Sequence, residues 1–292
     1  MTTFDTLISA EQLHSLLQQG PAPVLLDCRF DLSDPGAGER AYTAGHLPGA
    51  HYLHLDHDLS GDKHDAQGRS RGRHPLPAPQ HWAERVAALG IGPGRQVVAY
   101  DAQGGMFAAR AWWLLRWIGH RPAAVLDGGL AAWTAIGGPV ETQAAARQPA
   151  APWSVSAAGQ MPTVEADALL QQLGRVKLID ARAPERYRGE VEHLDPAAGH
   201  IPGALNRFFQ HNLGADGRFK PAAQLADEFR RLLGTAAPHE VVHQCGSGVT
   251  ACHNLLAMEH AGLHGARLYP GSWSEWCADA SRPVARSAVP LA

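Results

Sequence analysis

The sequence contains an internal repeat, and this repeat limits the possible folds more than any other feature of the chain. Residues 25–29 (LLDCR) resemble residues 178–182 (LIDAR), and residues 45–50 (GHLPGA) resemble residues 199–204 (GHIPGA). The landmarks keep the same order in both halves and lie about 150 residues apart, a period far too long for a solenoid. We therefore expect a single domain that has been duplicated.

The two copies share a chain of 292 residues, which is enough for two domains of ordinary size. Between them lies a stretch rich in Ala, Pro and Gln with no helical or strand periodicity, which is typical of a linker. We place the first domain at residues 1–142, the linker at residues 143–159 and the second domain at residues 160–292.

Short apolar segments alternate with helical patterns in both copies. The predicted strands are residues 24–26, 96–100, 123–126, 176–179, 240–243 and 266–268. A capping box at residues 9–12 predicts the start of the first helix. Further helices are predicted over residues 81–89, 107–118, 166–173, 225–233 and 251–261. This alternation predicts an α/β fold in which each domain has a parallel sheet with helices on both faces. Such sheets bind ligands at the carboxyl ends of their strands.

The charge balance argues against a nucleic-acid-binding protein, because 25 Lys and Arg against 28 Asp and Glu give a formal net charge of −3. No apolar run approaches the roughly 20 residues that cross a bilayer, and the N-terminus lacks the pattern of a secretory signal. Four cysteines are too few for a disulfide scaffold. We expect a cytoplasmic protein with reduced thiols that binds neither nucleic acid nor membrane.

One cysteine occupies a position that favours reactivity. Cys245 follows a predicted strand, and a turn with two glycines, Gly246 and Gly248, leads from it into a helix. Glycines allow such a turn to aim several backbone N–H groups at one point, and the helix adds its positive N-terminal end. We expect this turn to hold a thiolate. The alternative is a buried structural cysteine, the role that we assign to Cys252.

The residues that could suggest a metal site do not form a known ligand pattern. His51, His54 and His57 are spaced by three residues, which would suit a helix, but their segment reads as a loop and offers no cysteine partners. The chain contains no Cys-x-x-Cys motif either. We expect no metal site.

The segment CGSGVTA at residues 245–251 resembles the active-site loop of the rhodanese-family sulfurtransferases, in the form typical of the 3-mercaptopyruvate branch. The resemblance covers nearly the whole chain, because it includes both GHxPGA segments, residues 269–276 (YPGSWSEW) and the tandem arrangement. It implies two rhodanese-like domains, of which only the second is catalytic. The first copy has Asp101 in the position of Cys245, and a carboxylate cannot carry a sulfane sulfur.

The resemblance implies a persulfide mechanism, in which the Cys245 thiolate takes a sulfur atom from a small anionic donor and passes it on. Cyanide or a thiol is the expected acceptor, and a thioredoxin-like protein would be an acceptor of this kind. Backbone groups of the loop would help to bind the donor, and they belong to Gly246, Gly248, Val249 and Thr250. The chemistry needs no metal and no organic cofactor.

Arg186 matches the family arginine that binds the carboxylate or sulfonate of the donor, a task that suits a guanidinium. The alternative is a surface arginine paired with Glu185 or Glu190. Mercaptopyruvate enzymes of the family carry a second substrate arginine a little further on, but residues 190–195 (EVEHLD) contain none. His193 could substitute in part, although an isolated surface histidine is the simpler interpretation.

Ser247 matches a family serine thought to act with a histidine and an aspartate from the first copy. The matching residues are His74 and Asp56, with Asp58 as an alternative to Asp56. A proton relay would suit a carbon leaving group, because an enolate needs a proton and sulfite does not. Each residue also has a structural alternative: a turn hydroxyl for Ser247, a loop anchor for His74 and a solvated side chain for Asp56.

The sequence alone leaves three functions to compare, namely a sulfurtransferase, a phosphatase and a non-catalytic sulfur-binding or regulatory module. We favour 3-mercaptopyruvate over thiosulfate as the donor, because thiosulfate enzymes of the family usually have basic residues directly after the cysteine, where this chain has Gly246 and Ser247. A phosphatase would need an arginine that closes a Cys-x5-Arg loop, and position 251 is Ala. A non-catalytic sulfur-binding or regulatory module is the third alternative, and the presence of Cys245 argues against it.

Overall fold

The computed structural model describes residues 3–146, 148–151, 155 and 159–286, which form two compact units. The first unit consists of Met1–Ser60, Pro77–Met161 and Ala215–Phe219, and the second of Gly61–Leu76, Pro162–Gly214 and Lys220–Ala292. The second unit thus includes a segment from the first sequence repeat. The predicted domain boundaries stay a prediction. Parts of the predicted linker and of both chain ends lie outside the described residues, namely 1–2, 147, 152–154, 156–158 and 287–292.

The first unit is built on a five-stranded parallel sheet in the order β1-β5-β4-β2-β3. Its strands are β1 (Leu7–Ile8), β2 (Val24–Asp27), β3 (Ala50–Tyr52), β4 (Val97–Tyr100) and β5 (Ala123–Leu126). Its helices are α1 (Ala10–Gln18), α2 (Ala37–Ala44), α3 (Pro79–Ala87), α4 (Ala108–Trp117) and α5 (Gly129–Ala135). Strands β2, β4 and β5 are buried along their whole length, as expected for a parallel sheet covered on both faces.

The second unit has a four-stranded parallel sheet in the order β7-β6-β8-β9. Its strands are β6 (Lys177–Asp180), β7 (Leu205–Asn206), β8 (Val241–Gln244) and β9 (Arg267–Leu268). Its helices are α6 (Ala166–Gln172), α7 (Pro184–Arg188), α8 (Ala222–Leu233), α9 (Thr250–His260) and α10 (Ser272–Trp276), and 3₁₀ turns form at Phe209–Asn212 and Pro238–Glu240. The registry aligns Asp180 with both Asn206 and Gln244, so these strands end in one row just before Cys245.

The predicted α/β class and all six predicted strands are confirmed, with shifts of a residue or two at their ends. The capping box before α1 is also confirmed, because the Gln12 N–H donates to Ser9 Oγ at 3.2 Å and the Ser9 N–H donates to Gln12 Oε1 at 2.9 Å. The sequence analysis missed the short strands β1, β3 and β7 and the helices α2, α5, α7 and α10.

Each unit has its own hydrophobic core, and large aromatic side chains fill much of both. Trp112 and Trp113 are fully buried in the first unit, and Trp273 and Trp276 in the second. Along the described residues, every helix is too short or too polar to cross a lipid bilayer.

The GHxPGA segments help to shape the chain beside each sheet. The Arg182 guanidinium donates to both carboxylate oxygens of Asp180 and, at 2.7 Å, to the carbonyl oxygen of Gly199. Arg29 makes the same contacts in the first unit, with Asp27 and the Gly45 carbonyl. The same ion pair therefore forms in both copies, and its repetition indicates a structural role.

Candidate active site

The loop after β8 surrounds the Cys245 sulfur. Cys245 is a free cysteine that is only 2% exposed, and the Gly248 N–H donates to its Sγ at 3.1 Å. Gly248 has a φ of +77°, and a Cβ at this position would collide with the Pro270 carbonyl oxygen. Glycine is therefore required here both by the backbone conformation and by the close approach of the backbone at Pro270.

A second segment fixes the base of this loop. The Cys245 N–H donates to Ser272 Oγ at 3.1 Å, while the N–H groups of Trp273 and Ser274 donate to the carbonyl oxygens of Cys245 and Gly246 at 3.0 and 2.9 Å. Ser272 has a φ of +53° and is the one non-glycine residue with a positive φ in the described part of the chain. These contacts hold the backbone around the sulfur in one conformation.

Two arginines approach the loop from outside it. A Cβ placed on Gly246 would lie 2.9 Å from Arg73 Nη2 and 3.4 Å from Arg186 Nη1. The other terminal nitrogens of these guanidiniums bind carboxylates. Arg186 Nη2 donates to Glu192 at 2.7 and 2.8 Å and to Asp195 at 3.3 Å, and Arg73 Nη1 donates to Asp195.

Burial changes the electrostatics of this cluster. Burial favours a neutral Arg182, but hydrogen bonds to Asp180 and the attraction of Asp180 and Glu192 together outweigh that effect and raise the pKa of Arg182. Burial likewise favours a neutral Glu192, but hydrogen bonds from Arg186 and a backbone N–H, with the attraction of Arg186 and Arg182, outweigh it and lower the pKa of Glu192. Burial raises the pKa of Asp195, and the attraction of Arg73 offsets only part of that rise.

His74 and Ser247 form a buried pair beside Cys245. His74 Nδ1 lies 2.7 Å from Ser247 Oγ, and the two residues are 4% and 7% exposed. Either atom can donate, depending on which ring nitrogen carries the proton. His74 belongs to the second unit because the segment Gly61–Leu76 packs there, and the Arg73 N–H anchors this segment to Ser274 Oγ at 3.0 Å.

Asp56 and Asp58 belong to the first unit. Asp58 binds Arg85 at 2.5 Å and accepts the His54 N–H at 2.7 Å, so its carboxylate already has partners. Asp56 is half-buried, and its N–H donates to His54 Nδ1 at 3.1 Å. The role of Asp56 stays a prediction.

The corresponding loop of the first unit encloses a carboxylate instead of a sulfur. Asp101 is completely buried, and its two carboxylate oxygens accept four backbone N–H groups at 2.8–3.0 Å, from Gln103, Gly105, Phe107 and Ala108. In the first unit, the loop after β4 therefore binds an anionic group through its backbone N–H groups.

The structure brings most of the predicted site residues together in the second unit. Val249 is the N-cap of α9 and Thr250 begins it, so both lie at the positive end of that helix, next to Gly246 and Gly248. The predicted alternative partners of Arg186 are wrong, because its partners are Glu192 and Asp195, whereas Glu190 pairs with Arg188. His193 is exposed. Trp273 is fully buried and donates to the Ala197 carbonyl.

Arg73, Ser272 and the two carboxylates that bind the arginines are not predicted from the sequence. Arg73 directly precedes His74, but this position alone does not distinguish it from the other arginines nearby.

The three histidines spaced by three residues do not form a metal site here, and His54 and His57 stack at a centroid distance of 4.3 Å. Within the described ranges, no three His, Cys, Asp or Glu side chains converge as metal ligands.

The chain resembles known proteins along nearly its whole length. The family model for the rhodanese-like domain matches residues 9–136 and 165–279. The chain is 48% identical to a "Probable 3-mercaptopyruvate sulfurtransferase" of Pseudomonas aeruginosa, over 96% of this chain and 97% of that protein. It is 31% identical to the thiosulfate sulfurtransferase of Cricetulus griseus, over 94% of this chain and 92% of that protein. The solved structure of 3-mercaptopyruvate sulfurtransferase from Leishmania major superposes with a TM-score of 0.80 at 28% identity, covering 93% of this chain and 74% of that one.

Proposed function

The chain belongs to the rhodanese family, and from that premise we propose that it is a sulfurtransferase that uses 3-mercaptopyruvate as its donor and forms a persulfide on Cys245. The first copy is non-catalytic in this proposal, because Asp101 stands in the position of the cysteine. Two of the relatives are named for different donors, the Pseudomonas aeruginosa protein for 3-mercaptopyruvate and the Cricetulus griseus protein for thiosulfate.

One observation carries the proposal. The Cys245 sulfur accepts a backbone N–H inside a fixed loop, and two guanidiniums, of Arg73 and Arg186, point at Gly246 of the same loop. An amide donor stabilises an anionic sulfur, and the guanidiniums suit the carboxylate of a small donor. We therefore assign Arg186 and Arg73 to donor binding, with Gly246, Gly248, Val249 and Thr250 forming the loop around the reacting sulfur.

The reaction balances without any further reactant. The Cys245 thiolate attacks the sulfur of 3-mercaptopyruvate, an S–S bond forms and the C–S bond breaks with its electron pair on carbon. The enolate of pyruvate takes up one proton, and the new Cys–S–SH group loses one, so the products are pyruvate and the anionic persulfide. A nucleophilic acceptor then attacks the outer sulfur and restores the thiolate.

Ser247 and His74 supply the proton in this proposal. Their 2.7 Å contact links a hydroxyl two residues from the nucleophile to a buried imidazole that can exchange a proton. We propose Asp56 as the third member of this proton relay. The variant Asp56→Asn tests this role and should lose turnover with 3-mercaptopyruvate.

We propose cyanide or a thiol as the acceptor, including the thiol of a thioredoxin-like protein, and a cytoplasmic location. The four cysteines are all free, which agrees with a reducing compartment. Thiosulfate is the second candidate donor, because the Cricetulus griseus relative is named a thiosulfate sulfurtransferase.

The test is to incubate the protein with cyanide and each donor in turn, and to measure thiocyanate and the mass of the protein. We expect one additional sulfur on the protein and more thiocyanate from 3-mercaptopyruvate than from thiosulfate. Cys245→Ser should abolish both signals, while Cys28→Ser, at a buried cysteine of the first unit, should leave both intact. A preference for thiosulfate would overturn the donor assignment, and failure of both donors would favour a sulfur-binding module.

A further inference from the structure

The two arginines that face the catalytic loop share the site with two carboxylates, and this pairing has a consequence for donor choice. We propose that Glu192 and Asp195 cancel the positive charge of Arg73 and Arg186, so that the site selects sulfur donors with a single negative charge over donors with two. This inference rests on the proposed function, because it concerns the donor of the same cysteine.

The guanidiniums divide their nitrogens between the carboxylates and the loop. Arg73 binds Asp195 through Nη1 and directs Nη2 at Gly246, while Arg186 binds both carboxylates through Nη2 and directs Nη1 at Gly246. A donor can therefore reach one nitrogen of each arginine without displacing a carboxylate. In this proposal, both carboxylates keep their arginine partners and their charges when the donor binds.

The carboxylates are fixed and shielded from solvent. The side chains of Glu192 and Asp195 are only 3% and 2% exposed, whereas those of Arg186 and Arg73 are 22% and 25% exposed. The backbone N–H groups of Leu194 and Asp195 also donate to Glu192 Oε1, at 2.9 and 3.2 Å. Water and salt therefore screen these charges less than they screen charges on the surface.

Before the Cys245 thiolate is counted, the charged side chains around the donor sum to zero. Arg182 contributes no excess, because Asp180 pairs with it at 2.7 Å, and its Nη1 also lies 3.7 Å from Glu192 Oε2. The remaining two guanidiniums and two carboxylates cancel, and the thiolate of Cys245 adds one negative charge. 3-Mercaptopyruvate brings one further negative charge to this site at neutral pH, and thiosulfate brings two. The additional charge of thiosulfate has no unpaired cation to meet.

The test compares charge-neutralising variants of nearly the same shape. Asp195→Asn keeps the size of the side chain and removes one negative charge from the site, as does Glu192→Gln. We expect Asp195→Asn to raise the ratio of kcat/KM for thiosulfate to kcat/KM for 3-mercaptopyruvate by about tenfold, the effect of one partly screened charge at this range. Glu190→Gln is the matched control, because Glu190 lies in the same segment but is 55% exposed and pairs with Arg188, so its ratio should not change.

An unchanged ratio in an active Asp195→Asn enzyme, or equal losses with both donors, would overturn the charge selection and leave the sulfurtransferase function standing. No persulfide from either donor in the unmodified protein would overturn both. A second measurement needs no variant: pyruvate, with one charge, should inhibit the unmodified enzyme at lower concentration than sulfate, with two. Stronger inhibition by sulfate would contradict the inference.

Discussion

Replacing Asp101 by Asn tests whether the loop of this fold is built to bind an anion. The Asp101 side chain is completely buried, and each of its oxygens accepts two backbone N–H groups. Asparagine has nearly the same shape, but one carboxylate oxygen becomes an NH₂ group, which cannot accept these bonds. Two backbone N–H groups would lose their acceptor, and the other two would face a neutral oxygen.

The expected cost follows from these four bonds. A hydrogen bond to a charged group contributes about 1.5–3 kcal/mol, and an unpaired buried donor costs about 1–3 kcal/mol. Two lost bonds and two weakened ones, reduced for relaxation of the loop, give roughly 4 kcal/mol. The total free energy of unfolding of a domain is only about 5–15 kcal/mol. We therefore expect a large loss, equivalent to a fall of roughly 10 °C in Tm.

Thermal and urea unfolding of the whole chain, followed by circular dichroism and tryptophan fluorescence, would measure this loss. Asp31→Asn is the control, because Asp31 is exposed and accepts hydrogen bonds from Ser33, two residues away, so that variant should leave Tm nearly unchanged. A loss of under about 1 kcal/mol for Asp101→Asn would show that the loop does not require an anion. The first copy would then give no support to a thiolate in the corresponding loop of the second copy.

Three further predictions concern the second unit. Gly248→Ala should prevent persulfide formation, measured by protein mass, because its Cβ would meet the Pro270 carbonyl; a normal persulfide yield would contradict the geometry. Ser247→Ala should lower kcat with 3-mercaptopyruvate by about 10²-fold or more and lower kcat with thiosulfate much less; equal losses would reject proton transfer through this hydroxyl. Burial lowers the pKa of His243 from 6.5 to about 3. As the pH falls, the unfolded chain therefore takes up this proton before the folded chain does. The stability that the neutral, buried histidine contributes is complete above pH 6.5 and is lost as the pH falls towards 3. His243→Leu should remove a slope of at most about 1.4 kcal/mol per pH unit from urea unfolding in that window, and an unchanged slope would contradict the assignment.

The central strands were predictable because burial on both faces leaves a plain apolar signal in the sequence. Strand β4 reads VVAY, and all four of its residues are buried. The short strands leave no such signal. Leu7–Ile8 has only two residues and becomes a strand through its pairing with Val125 and Leu126, more than a hundred positions along the chain. Periodicity within a short window cannot reveal a partner at that distance.

The site shows the same division between local and distant information. Cys245 and its glycines form one continuous motif, so the loop could be predicted from its own residues. Arg73 could not, because its role depends on an ion pair with Asp195, 122 residues away. Its charge is also ordinary in its own segment, which includes Arg69 and Arg71. Only the folding of Gly61–Leu76 into the second unit distinguishes Arg73 from these neighbours.

The duplication itself separates residues that maintain the fold from residues that perform the chemistry. The Arg–Asp pair and its glycine carbonyl occur in both copies with the same 2.7 Å contact, which favours a structural role over a catalytic one. The copies differ in the group that the loop encloses, a carboxylate at Asp101 and a sulfur at Cys245. The Asp101 carboxylate accepts four backbone N–H groups, whereas the Cys245 sulfur accepts the Gly248 N–H, and a thiolate that accepts such a bond still has lone pairs with which to attack a donor. One fold can thus bind a carboxylate in one copy and, in the function that we propose, a nucleophilic sulfur in the other.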